Sequence, residues 1–367
     1  MRGGTSKALM FHARDLPASR AEWDAIFLAA MGSPDPAGRQ LDGMGGGLSS
    51  LSKVCVLSPS SRPDADVDYT FAQVQIREAA VDYSGNCGNM SSAIGPFAVE
   101  EGLVCPEDGE AMVRIFNTNT KKIIHATFDV RDGRPLVCGG LAIPGVAGSG
   151  APIRLDFIEP GGAATGALLP TGNTRDTLDI PGLGAIEVSM IDAANACVFV
   201  AARTLGLRGV EMPEELERNT TLLEKLAAIR LHASVAMGIA PDITSARAKP
   251  AVPFIGFVSP AQDSPLLSGG TLAAADIDLT ARFLSSGQPH RALPLAASLC
   301  TAVAARIEGS LVHAVCASGA AQRLRLGMPS GVLSVGAEVR RDGVLWHATR
   351  GSFYRTARRL FDGFVYA

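Results

Sequence analysis

Residues 81 to 102 read VDYSGNCGNMSSAIGPFAVEEG and set a thiol, Cys87, between Asn86 and Gly88, with Gly85 and Asn89 just outside. A structural cysteine ordinarily packs among apolar neighbours on a strand or helix face, and nothing bulky can pack here. Apolar alternation stops at Tyr83; beyond it Ala93, Ile94, Phe97 and Ala98 recur at helical spacing, and Gly102 offers a stop. Pro96 argues for a kink. The layout this predicts is strand, tight turn, helix, with Cys87 at the helix mouth. Free backbone N–H groups and the helix dipole favour anions there, whether a thiolate or a ligand carboxylate. A capping turn with an incidental cysteine is the alternative.

Lys53 is the second candidate. It ends the glycine- and serine-rich loop LDGMGGGLSSLSK and directly precedes the apolar run VCVL. A lysine at the edge of a buried strand loses solvation, which favours the neutral amine and lets it accept a proton; a solvated surface lysine is the competing reading. Small polar residues also concentrate in MRGGTSK at the start and LLPTGNTRD in the second half. Such loops offer backbone donors with few obstructions, which suits an anionic ligand, although tight turns alone account for some of the glycines. Nucleotide motifs fail: GGGLSSLSK lacks the GK[ST] ending of a P-loop, and no GxGxxG follows a strand and opens a helix.

The elements that must position these residues mix both periodicities. Ser19 and Glu22 form a capping-box pattern ahead of Trp23, Ile26, Phe27 and Ala30, with Gly32 closing that helix. Strands are expected at VCVL, DYTFAQVQI, MVRIF, IIHATFDV, AIEVSMIDA, CVFVAA, GVLSVGAEV and GVLWHAT. Helices are expected at TLLEKLAAIRLHASVAMG, DIDLTARFLSS and LPLAASLCTAVAARI. The glycine- and proline-dense GVAGSGAPIRLDFIEPGGAATG reads as a crossing between domains. Strands and helices occur in both halves without strict alternation, which points to α+β or mixed α/β in two lobes.

A chain of 367 residues, 47% hydrophobic and 19% charged, is folded and long enough for two domains. A net charge of −3 without long charge runs disfavours nucleic acid and membrane surfaces as partners. No apolar run approaches the roughly 18 residues needed to span a bilayer. The first residues lack the apolar stretch of a secretion signal, so the cytoplasm is the expected location. The seven cysteines are widely spaced without CxxC, and the six histidines are scattered without HExxH. Neither a disulfide framework nor a metal centre is expected.

Taken together, MRGGTSK, LDGMGG…SSLSK, DADVDYTFAQV…VDYSGNCGN and GALLPTGNTRD resemble the PrpF family. The similarity continues through LEKLAAIRLHASVAMG, DIDLTARFLSSGQPH, GMPSGVLSVGAEV and RTARRLFDGFVYA, nearly the whole chain. Members isomerise 2-methylaconitate, aconitate, 3-methylitaconate or 4-oxalomesaconate. The resemblance implies an α+β fold like that of diaminopimelate epimerase. Two pseudo-symmetric lobes each wrap a strongly curved mixed sheet around a central helix, with the active site in the cleft between them. The expected lobes are 1–165, carrying Lys53 and Cys87, and 166–344, with 345–367 returning as a strand to the first.

Carried over by position, the resemblance makes Lys53 the catalytic lysine and Cys87 the active-site cysteine. Asn86, Gly88 and Asn89 match the turn that holds a substrate carboxylate. Thr5, Ser6, Ser49 and Ser50 match lining loops, Thr171, Gly172 and Asn173 a facing loop, and His290 a histidine of undefined role. No cofactor or metal is implied, the partner is a small unsaturated polycarboxylate, and a homodimer stays open. The chain departs from the pattern by starting at Met1 inside it, as a truncated start or a short first strand would do. It also carries Ala8 in TSKA and Lys121 where a glycine is common. Other readings are a 4-oxalomesaconate tautomerase, a two-cysteine amino-acid epimerase of the diaminopimelate type, and an accessory protein for an iron–sulfur methylcitrate dehydratase. For the epimerase, Cys316 in VCASGA comes nearest to a second site, while Cys197 and Cys300 lie in apolar patterns. The segments SSLSK and VLSPSSRPDADVDY lean toward the aconitate and methylaconitate branch, DVDYTFAQV and IFNTNT toward methylitaconate isomerase.

Overall fold

A computed structural model describes residues 1–83, 86–249, 252–285, 287–316 and 323–367. Ser84 and Gly85 of the cysteine turn, and most of the VCASGA stretch, therefore lie outside the described residues. Two units share the chain: Met1–Ile158 with Tyr354–Ala367, and Glu159–Phe353.

In the first unit, Ser6–His12 pairs in parallel with Lys53–Pro59, which pairs antiparallel with Val67–Val74. Val67–Val74 runs parallel to Gly109–Asn117, which pairs antiparallel with Lys122–Arg131, and that strand antiparallel with Ile153–Ile158. The second unit repeats the order. Asn195–Ala201 is parallel to Phe254–Pro260, that to Leu279–Ser285 antiparallel, and that to Arg323–Met328 parallel. Two antiparallel steps follow, to Gly331–Asp342 and to Leu345–Arg355. Each unit inserts its central helix at the same point, after a short strand paired to the third member: Gly88–Glu100 after Val81–Asp82, and Leu295–Ala304 after Gln288–Pro289. Met90 through Val99 are all buried, and so are Ala297 through Ala304. A helix apolar on every side can exist only where strands enclose it. The two units are thus α+β and topologically alike.

Alternation along the strands sorts their faces, because successive side chains point opposite ways. Val54, Val56, Ala72 and Val74 form one core with Phe27, Ala30 and Met31 of the helix Trp23–Met31. Lys53, Cys55, Tyr69, Phe71 and Gln73 take the other face. In the second unit, Leu222, Leu226, Ile229 and Ala233 of helix Thr220–Ala236 close a core over Ile186, Val188, Val198 and Phe257. Asn219 caps that helix, its side-chain oxygen accepting from Leu222 N at 3.0 Å. Asn219→Ala is expected to cost about 1 kcal/mol, read as a fall in the denaturant midpoint of the second unit.

Two local expectations fail. Ser19 makes no capping bond; a 3-10 turn, Arg20–Glu22, leads into the helix instead. DIDLTARFLSS is not a helix but a 3-10 turn, Ala274–Asp276, followed by the strand Leu279–Ser285. Leu279 and Phe283 mimic helical spacing, yet Thr280, Ala281 and Arg282 between them are buried as well, as in a strand covered on both faces. The division between the units falls at Glu159, inside the segment expected to cross between domains, whose strand Ile153–Ile158 belongs to the first unit's sheet. The helix Gly88–Glu100 runs through Pro96, and Gly102 ends it with φ +68°. Lys121, where glycine is common in the family, has φ +60° in the turn between its two strands. That left-handed backbone costs a non-glycine residue about 1 kcal/mol. No helix among the described residues is long and apolar enough to cross a membrane.

Candidate functional site

Lys53 opens its strand directly opposite Gln73. Its side chain is 8% exposed, its Nζ donates to Gln73 Oε1, and the Phe71 ring centroid lies 5.2 Å away. Gln73 cannot turn around. Its Nε2 donates to the carbonyls of Ser52 at 2.9 Å and Ser49 at 3.0 Å, which leaves Oε1 as the atom facing the amine. Ser49 and Ser50 belong to the 3-10 turn that delivers the chain to Lys53. That loop is tied down by the buried Gln40, whose Oε1 accepts from Gly47 N and Ser52 Oγ.

Cys87 is the N-cap residue of Gly88–Glu100, its carbonyl accepting from Ser91 N at 2.9 Å. Asn86 Oδ1 accepts from Ser91 Oγ at 3.2 Å and from Asn117 Nδ2 at 3.1 Å. Asn119 Nδ2 donates to the Tyr83 carbonyl at 2.7 Å. The hairpin NTNT, residues 117–120, therefore braces the cysteine turn from outside it. Two residues along from Lys53, on the same face, burial pushes the Cys55 thiol up to about 12. Its Sγ lies 3.9 Å from the hydroxyl of fully buried Tyr69. The strand Lys53–Pro59 packs against the helix Gly88–Glu100, and Lys53 and Cys55 lie on its face opposite the one that covers Trp23–Met31. The lysine thus occupies the sheet face that meets the helix opened by Cys87.

The remaining first-unit candidates gather at the same helix mouth. Gly88 and Asn89 are the first two helical residues, and Asn89 Nδ2 donates to Thr5 Oγ1 at 3.1 Å. Ser6, beside Thr5, is buried. The GG of MRGGTS has a steric reason: a Cβ on Gly3 would stand 2.6 Å from Asn89 O, and one on Gly4 2.2 Å from Asn89 Oδ1. Asn89 Oδ1 accepts from Arg355 Nε at 3.0 Å.

The other four candidates belong to the second unit. Thr171 Oγ1 and Asn173 Nδ2 both donate to Asp176, at 2.7 and 2.8 Å, and Gly172 turns between them with φ +80°. His290 begins the turn topologically equivalent to the one carrying Cys87, between Gln288–Pro289 and Leu295–Ala304. Burial lowers its pKa, and its Nδ1 accepts from Ala292 N at 3.0 Å, so Nε2 carries the proton of the neutral ring. At the mouth of this second helix stands Pro294, not a cysteine. Cys300 lies buried within the helix and donates to Ile191 O at 3.3 Å. Among the described residues, no group of three or more His, Cys, Asp or Glu side chains could hold a metal ion.

Sequence reasoning missed Gln73, Arg355 and the asparagines 117 and 119. Gln73 carried a usable signal, since it is polar in register with the apolar Tyr69 and Phe71 on one strand face.

A family model described as PrpF protein matches residues 1–367. The 3-methylitaconate isomerase of Eubacterium barkeri is 42% identical over 369 residues, covering 100% of this chain and 95% of that protein. The 2-methyl-aconitate isomerase of Cupriavidus necator is 39% identical, with 100% and 95% covered. The 4-oxalomesaconate tautomerase of Pseudomonas putida is 38% identical, with 100% and 94% covered. Among solved structures, a crystal structure of methylitaconate-delta-isomerase superposes with a TM-score of 0.92 at 41% identity, covering 99% of this chain and 93% of that one.

Proposed function

From the premise that this chain belongs to the PrpF family and is an isomerase, we propose that it shifts a double bond in an unsaturated di- or tricarboxylate such as aconitate, 2-methylaconitate or 3-methylitaconate, without a cofactor. Three relatives of comparable similarity are named for unsaturated polycarboxylates, which supports the class and leaves the member open. The observation that carries the reading is Lys53: a buried amine held by an amide oxygen, on the sheet face turned toward the helix that Cys87 opens.

Such a shift removes a proton from one carbon and returns one two atoms away. The carbanion between is delocalised into a carboxylate that is already charged, so preorganised donors must meet the added charge. The N–H groups at the start of Gly88–Glu100 are donors of that kind. Neutral Lys53 takes the proton and becomes ammonium; the Cys87 thiol delivers one to the far carbon and becomes thiolate. Proton transfer from ammonium to thiolate through solvent restores both. Rotation in the intermediate also allows cis–trans isomerisation. The proposal keeps Thr5, Ser6, Ser49, Ser50, Asn86, Gly88 and Asn89 as substrate-binding in the first unit. Thr171, Gly172, Asn173 and His290 hold that role in the second, His290 through its Nε2–H. A two-cysteine epimerase is disfavoured because the second unit opens its central helix at Pro294.

The test is proton NMR in D2O of the purified protein with trans-aconitate, 2-methylaconitate, 3-methylitaconate and oxalomesaconate, chelator present. Deuterium at the allylic carbon and a shifted double bond are expected for at least one acid. No exchange with any of them rejects the double-bond shift on these acids and leaves the accessory role. In the same assay, Cys87→Ala is expected to keep exchange at the donor carbon while product formation falls about a hundredfold. Equal retention of both signals would remove Cys87 as the proton donor.

A further inference from the structure

We propose that Arg355 is a positioning residue for carboxylate binding: through the Asn89 amide it holds the Thr5 hydroxyl with its proton directed at the substrate. This rests on the isomerase reading and adds to it a group from the far end of the chain. A guanidinium has only donors, so the Asn89 atom 3.0 Å from Arg355 Nε is the oxygen. The other end of the amide is then the NH2, which can only donate, and it does so to Thr5 Oγ1 at 3.1 Å. A threonine hydroxyl that accepts from one side turns its own proton elsewhere. Thr5 is exposed, while Arg355 is 7% exposed. The chain therefore starts at a buried cation and ends at a hydroxyl donor facing solvent.

The surroundings leave it little freedom. Arg355 also donates to the Tyr354 carbonyl at 2.8 Å, which ties the guanidinium to its own strand. A Cβ at Gly4, whose φ is +51°, would strike Asn89 Oδ1 at 2.2 Å and Arg355 Cδ at 3.0 Å. Asn89 is the second residue of Gly88–Glu100, so the cation sits beside the positive end of the helix dipole. Burial lowers Arg355 to about 10, still protonated at neutral pH.

The experiment uses the full chain, the acid that the wild type turns over, and tricarballylate, a saturated tricarboxylate that can bind without reacting. Thr5→Val is expected to raise KM and the calorimetric Kd for tricarballylate about tenfold, the worth of one hydrogen bond to a charged group, with kcat changed less than about threefold. Thr5→Ser should restore both constants. Arg355→Gln should weaken binding in the same way, and the double variant should bind no worse than Thr5→Val alone, because both act through one hydroxyl. If Arg355→Gln does not fold, Asn89→Leu breaks the chain at its middle and takes its place in the cycle. Unchanged binding in Thr5→Val, or losses that multiply in the double variant, overturns the assignment alone. A wild type that neither turns over an unsaturated polycarboxylate nor binds tricarballylate overturns it together with the isomerase reading.

Discussion

Lys53→Ala is expected to lower kcat by about 10²- to 10⁴-fold, the span of a general acid–base group, and to abolish deuterium exchange at the allylic carbon. The amine is the one group proposed to start the reaction, so exchange and product should vanish together, unlike in Cys87→Ala. Stability is a separate matter. Lys53 is buried, and its loss leaves Gln73 Oε1 without the donor it meets in the native protein. An unsatisfied buried acceptor costs about 1–3 kcal/mol, so Lys53→Ala alone could be mistaken for a folding defect. Lys53→Met keeps the aliphatic stem against Phe71 and removes only the charge and the donor. Both variants should unfold cooperatively, at lowered midpoints, and both should be inactive. Turnover above about a tenth of wild type in either one, below the hundredfold floor of such catalysis, removes Lys53 as the base.

The parts of this site that are local in sequence were legible, and the parts that are not were invisible. Cys87 could be placed at a helix mouth because a glycine turn followed by Ala93, Ile94, Phe97 and Ala98 carries both the stop of one periodicity and the start of another. Lys53 announced itself at the edge of an apolar run. The central helices were readable for the same reason, as apolar stretches of helical length. Leu279–Ser285 was misread because a strand buried on both faces loses the alternation that identifies strands. Arg355 reaches Asn89 across 266 residues of sequence, and no periodicity encodes that meeting. Gln73 reaches Lys53 through strand register alone, twenty residues away. What sequence conveys best is which residues can do chemistry; what it conceals is which neutral side chains hold them.

Gln73→Glu tests that second point, and its expected effect is the larger for being nearly isosteric. In the native protein Lys53 meets an amide oxygen whose partner nitrogen is held by the Ser49 and Ser52 carbonyls. A carboxylate there would place a negative charge against the amine and hold the proton on it. It would also turn an oxygen toward the two carbonyls, which repel it. Opposite charges within about 4–6 Å move a titration by one to three units, so the neutral base would appear only at correspondingly higher pH. The expected result is a fall in kcat/KM at pH 7 of about tenfold to a thousandfold, recovering as pH rises, so that the profile's rising limb shifts alkaline. Gln73→Leu separates charge from support, since it removes the acceptor without adding an anion and should lower kcat at every pH without moving the limb. A Gln73→Glu profile that superposes on wild type would mean that this residue does not face the reacting amine, and Lys53 would lose its strongest structural support as the base.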